Sequence, residues 1–140
     1  MKIQICGSMK FAKEMKSAKK ELQALGHNVT IPTNTDDHIE DPDFVDNLKK
    51  NYEDSVEKDT IRECFKLVAD AQAILVLNHH RNGINGYLGT STLMEIGLAY
   101  YLGKKIFLLN PIPHYDEVRW AHEVMIMDPT IINGNLSKIK

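Results

Sequence analysis

The chain is short of cysteine, of long apolar runs and of net charge, and each shortage removes a class of function. Only two of its 140 residues are cysteine, Cys6 and Cys64, without Cys-x-x-Cys spacing. That usage fits reduced thiols, so a cytoplasmic protein is expected. The six histidines show neither His-x-x-x-His nor a Cys/His zinc spacing, and the adjacent His79 and His80 would point apart on regular structure. No metal and no cofactor are expected. The formal net charge is −2, and no Lys/Arg cluster alternates with aromatic residues. That argues against a nucleic-acid polymer as partner. The longest apolar run is broken by Glu95 and is too short for a bilayer, so no membrane is expected either. Lys10, Lys13, Lys16, Lys19 and Lys20 have no long apolar segment between them and do not read as a signal peptide.

What is present is the composition of a soluble globular protein, 43% apolar and 26% charged. No repeat, low-complexity tract or linker divides it, so residues 1–140 read as one domain. "KIQIC" (Lys2–Cys6) has strand composition and stops at Gly7-Ser8. Phe11, Met15, Ala18, Leu22 and Leu25 then recur on one helical face, and Gly26 closes that helix. "HNVTIP" (His27–Pro32) is a second strand, which implies a parallel pair with a right-handed crossover. The acidic, aperiodic "TNTDDHIEDPD" (Thr33–Asp43) reads as an exposed loop.

Phe44, Leu48, Tyr52 and Val56 form one stripe, and Ile61, Cys64, Phe65 and Val68 a second, out of phase with it. The pattern predicts two helices meeting near Lys58-Asp59, or one that bends there. "AILVLN" (Ala73–Asn78) is a continuous apolar strand, covered on both faces. A Gly/Asn loop follows over His79–Gly89, then a helix ending at Gly103. "KKIFLLN" (Lys104–Asn110) is a fourth strand, Asp116–Met127 is helical, and Pro129–Asn133 is a short fifth strand. This alternation predicts a doubly wound α/β fold, flavodoxin- or Rossmann-like, with a parallel sheet in the order 2-1-3-4-5. Ligands of such sheets sit beyond the carboxyl ends of the strands, at the switch point between strands one and three.

Glu95 is the only charged residue between Leu93 and Leu102, and an unpaired buried charge is costly. Two explanations stand side by side. Thr92-x-x-Glu95 fits a capping box, with Glu95 reaching back to the Thr92 N–H, and Thr90 and Ser91 are also possible caps. Alternatively, a carboxylate one or two turns into the helix that follows the switch-point loop could attack an electrophilic carbon or stabilise a cation.

Gly89, Glu95, Ile96, Gly97 and Ala99, followed by Gly103, Lys104 and Ile106, resemble the signature of the nucleoside 2-deoxyribosyltransferase family. That family also includes the 2′-deoxynucleoside 5′-phosphate N-hydrolases. The opening "IQICGSM" is similar to the family's first strand and its Gly-Ser. A more distant likeness, through Gly89-Thr90 and Glu95, is to the phosphoribohydrolases called lysine-decarboxylase-like proteins. The family resemblance implies that Glu95 attacks the anomeric carbon of a deoxyribosyl group while the base leaves. A carboxylate there would stabilise and trap an oxocarbenium-like transition state.

It further implies a nucleoside or nucleotide partner, sugar or phosphate contacts from Ser8, Thr90 and Ser91, and a homodimer or higher homo-oligomer. An acid near the leaving base would fall at Glu63 or Asp59. The chain departs from the pattern at Gly89, where the transferases carry an acid and the nucleotide hydrolases a serine. A non-catalytic nucleotide-binding module on the same fold is the competing expectation.

Gly7 and Ser8 could offer helix N–H groups to a phosphate, with Lys10 and Lys13 nearby, or form an ordinary capped turn. Neither a Gly-x-Gly-x-x-Gly nor a Walker loop is present, so no dinucleotide or ATP site is indicated. Arg81 reads as part of a solvated loop, with a phosphate contact as the alternative. Tyr87 either stacks on a base or covers its own loop. Cys6 reads as core rather than nucleophile. Trp120 and "EVMIM" pack in the core or at a subunit contact.

Overall fold

The computed structural model describes residues 1–140. Five strands form one all-parallel sheet in the order 2-1-3-4-5, as predicted. They are β1 (Lys2–Gly7), β2 (Asn28–Thr30), β3 (Ala73–Leu77), β4 (Lys105–Leu108) and β5 (Thr130–Ile131). Six helices surround the sheet: α1 (Ala12–Ala24), α2 (Thr35–Glu40), α3 (Leu48–Lys58), α4 (Thr60–Asp70), α5 (Thr90–Tyr101) and α6 (Ala121–Ile126).

The two-residue period of a strand divides the core into halves. Ile3, Ile5, Leu75, Leu77 and Phe107 point to one face, where they meet Met15 and Leu22 of α1. Cys6, Ile74, Val76, Ile106 and Leu108 point to the other, against Val68 of α4 and Ile96 and Ala99 of α5. All five residues of β3 are buried, which is why that segment reads as unbroken apolar sequence. Each such Ile or Leu contributes roughly 1.5–3 kcal/mol on leaving water.

The break between α3 and α4 falls at Asp59, which adopts a left-handed conformation (φ 51°). The two out-of-phase stripes therefore belong to two helices. Thr33–Asp43 is not simply an exposed loop. It contains α2, whose Thr35 and His38 are buried. The Thr35 hydroxyl donates to the Pro32 carbonyl at 2.5 Å, and the His38 ring lies 5.1 Å from that of Phe44. Two tertiary anchors hold a segment too polar to show a helical period. The predicted helix over Asp116–Met127 is shorter, with turns before Ala121.

Candidate active site

The carboxyl end of β1 is where the backbone first opens toward ligand space. Gly7 has φ +153°, and a Cβ there would lie 2.9 Å from the Leu77 carbonyl oxygen. Only glycine lets β1 and β3 stay paired to this point. Ser8 then caps the turn into α1, its Oγ accepting from the Lys10 N–H at 3.2 Å.

On the other side of the switch point, the loop after β3 is tied down. Asn78 is fully buried. Its side chain donates to the Asn110 carbonyl at 2.6 Å and accepts the Asn110 N–H at 2.8 Å, clamping the ends of β3 and β4. Arg81 and Ile84 exchange backbone hydrogen bonds across Asn82-Gly83, both with positive φ. Those are the features of the Asn-Gly turn that favours tight hairpins.

That turn aims Arg81 inward, which corrects the reading of a solvated loop. Its side chain is only 14% exposed. One guanidinium nitrogen donates to Ser8 Oγ at 2.5 Å and the other to Asp46 Oδ1 at 2.6 Å. The group also lies 5.4 Å from the Tyr87 ring centroid. Charge-assisted bonds of this kind are the stronger ones. Arg81 thus fastens three walls together: the turn after β1, the turn before α3, and the loop before α5.

These walls enclose a cavity of about 610 Å³, within the range of small-molecule sites. Gly7, Ser8, Gly89, Thr90, Ser91 and Glu95 all line it. Glu63 does not. Its carboxylate lies outside, 3.3 Å from Lys66 Nζ. Asp59 is likewise turned away, onto Arg62 at 2.8 Å. From α4 the cavity takes Thr60, Ile61, Cys64 and Phe65 instead. Tyr87 also lines it, with Arg81 over its ring.

The capping-box explanation of Glu95 fails on geometry. α5 begins at Thr90 after Gly89, and no side chain caps it. Thr92 is therefore inside the helix and Glu95 lies in its second turn. The first N–H groups of α5 are left open beside the cavity. Glu95 is half-buried, and burial pushes its carboxyl up to about 7. The neighbouring Cys6 thiol acts in the opposite sense. Cys6 is fully buried, as the apolar strand implied. Burial, then the nearby Glu95, raise its thiol well above the usual range. The same two causes, with Glu63 third, push Cys64 up to about 12. Both sulfurs are thiols rather than thiolates at neutral pH, poor nucleophiles beside a carboxyl poised near neutrality.

Several wall residues carry no sequence motif. Asn34, His38, Asp46, Asn51, Tyr52 and Ser55 enter from α2, α3 and the turns around them. His38 Nε2 lies 3.2 Å from the Asn34 amide nitrogen, and its Nδ1 is buried with no hydrogen-bond partner. Burial lowers its pKa, against smaller opposing effects of Asp37, Asp54 and Asp41. The one sequence signal was a pair of acids, Asp36-Asp37, after Thr35, the pattern of a helix first turn.

Gly89 has an unstrained backbone. A Cβ there would meet only the Tyr87 ring, at 3.7 Å. Its bareness leaves room in the cavity and is not demanded by the fold. No group of three or more His, Cys, Asp or Glu side chains is placed to hold a metal ion. No helix is long and apolar enough to cross a membrane. Neither the protein-family models nor the curated proteins contain a match to this chain.

Proposed function

We propose that the protein cleaves the N-glycosidic bond of a deoxynucleoside or nucleoside 5′-monophosphate, with Glu95 as nucleophile. One observation carries this. Glu95 is an uncapped, half-buried carboxyl at the wall of the switch-point cavity, with its pKa raised to about 7. A Glu Oε attacks C1′, the C1′–N bond breaks, and its electron pair leaves with the base, which takes a proton from water. Water then attacks the glycosyl ester, returning the sugar and the free carboxylate; a second base in place of water gives transfer. Ser8 suits a sugar hydroxyl. Its Oγ already accepts from Lys10 N–H and Arg81, so its own hydrogen is left to donate. The open N–H groups and hydroxyls of Thr90 and Ser91 can hold another sugar oxygen.

The mouth of the cavity supports the homo-oligomer expected from the resemblance. Leu48, Tyr52 and Val56 of α3 are 78, 70 and 64% exposed, with Ile61 and Met94 also exposed nearby. A second copy covering this stripe would remove apolar surface from water and close the site.

Incubation with a panel of deoxynucleosides and deoxynucleotides should release free base. Glu95→Ala should abolish release while leaving the circular dichroism unchanged. The alternative, a binding module without catalysis, is favoured by the bare Gly89 wall. It requires tight nucleotide binding with no release by the wild type.

A further inference from the structure

We infer that the cavity selects an uncharged nucleoside and discriminates against its 5′-phosphate. This depends on the glycosidic chemistry proposed above and narrows its substrate. The ionisable groups that line the cavity include the carboxyls of Asp46 and Glu95, and the lining contains no lysine or arginine. His38, the imidazole of the wall, is held toward its neutral form by burial.

Arg81 stands behind the wall, and its charge is already engaged. Asp46 holds one end at 2.6 Å and Ser8 the other at 2.5 Å. Lys10 is turned away to the Pro42 carbonyl. Outside the cavity, α2 and α3 carry Asp37, Glu40, Glu53, Asp54 and Glu57 around a neighbouring acidic depression, with Lys50 and Lys58 opposing them. A phosphate monoester brings about two negative charges at neutral pH, and it would meet a cavity whose unpaired carboxyl is Glu95, since Asp46 and Arg81 neutralise each other, beside a depression that is acidic on balance.

The reaction makes the mismatch worse. A dianion beside Glu95 would favour the protonated carboxyl and so disarm the nucleophile. The positive features that remain are the α5 N-terminus, equivalent to about half a charge, and the backbone N–H groups of the Gly7-Ser8 turn. Those N–H groups can also hold a neutral 5′-hydroxyl, and about half a charge does not offset a dianion beside the Glu95 carboxylate.

The test measures base release and calorimetric binding for a 2′-deoxynucleoside and its 5′-monophosphate, at pH 8 and low salt. The nucleoside should be preferred at least about tenfold in kcat/KM. Asp46→Asn, which removes the negative charge that neutralises the Arg81 guanidinium, should shrink that preference at least about threefold. Equal or better use of the monophosphate would overturn the inference and leave the glycosidase proposal standing. If neither compound is cleaved, binding decides. Tighter nucleoside binding upholds the charge selection while the catalytic proposal falls, and binding of neither overturns both.

Discussion

Replacing Glu95 with glutamine should make the protein more stable and less active, with a pH dependence that identifies the cause. The fold raises this carboxyl from 4.5 to about 7, so it favours the protonated form. Below about pH 4.5 the group is protonated in both folded and unfolded chains and contributes no difference. Between 4.5 and 7 the unfolded chain releases the proton while the folded chain keeps it, so stability falls as pH rises. Above 7 both states are ionised and the full penalty is present, at most about 3 kcal/mol.

Glutamine keeps the shape and a side-chain oxygen near Cys6 but does not ionise. Water in the adjoining cavity screens part of the charge. The measurable gain in Glu95→Gln is therefore about 1–2 kcal/mol at pH 8, or roughly 3–8 °C in Tm. Urea or thermal unfolding of both proteins at pH 5, 6, 7 and 8 should show the difference growing and then levelling near pH 7–8. A glutamine variant that is less stable at pH 8, or a difference independent of pH, would refute the reasoning. Glu95 would then be compensated locally, as a cap or paired group is.

Wild-type base release should fall about tenfold per pH unit below 7, as the nucleophile takes up its proton; a rate flat from pH 5 to 8 would contradict this. Gly7→Ala places a Cβ 2.9 Å from the Leu77 carbonyl and should cost about 2 kcal/mol in urea unfolding. A neutral result would mean that the β1–β3 contact has slack. Arg81→Ala should lower stability by about 2 kcal/mol and raise KM more than it lowers kcat, because it releases Ser8 and Asp46 rather than a reacting group. Leu48→Lys combined with Val56→Lys should shift a dimer to monomer in sedimentation velocity. A monomeric wild type would end the proposal that a second copy covers α3.

The strand order and the switch point were legible because they follow from short-range pattern. A two-residue apolar period, an unbroken apolar β3 and the alternation with helices leave few topologies for a right-handed chain. Glu95 was legible for a related reason, as one acid in an apolar helix. Whether it caps its own helix was not. That depended on α5 starting at Thr90, a boundary set by packing and not by the Thr92–Glu95 spacing.

Glu63 was placed by sequence proximity, yet it lies on the outer side of α4, against Lys66. Helix rotation, fixed by Val68 entering the core, decides which residues of α4 face inward. Arg81 and His38 were the residues most misread. Both lie in polar, aperiodic segments, and both are inward-facing because of long-range partners: Ser8 and Asp46 for Arg81, Asn34 and Phe44 for His38.

The sequence by itself determined the sheet, its order, and the end of it where chemistry can occur, because hydrophobic periodicity acts through neighbours along the chain. Only the tertiary structure decided which charges meet in that cavity. Residues as far apart as Ser8, Asp46 and Arg81 interact through space, and no local pattern records the distance between them.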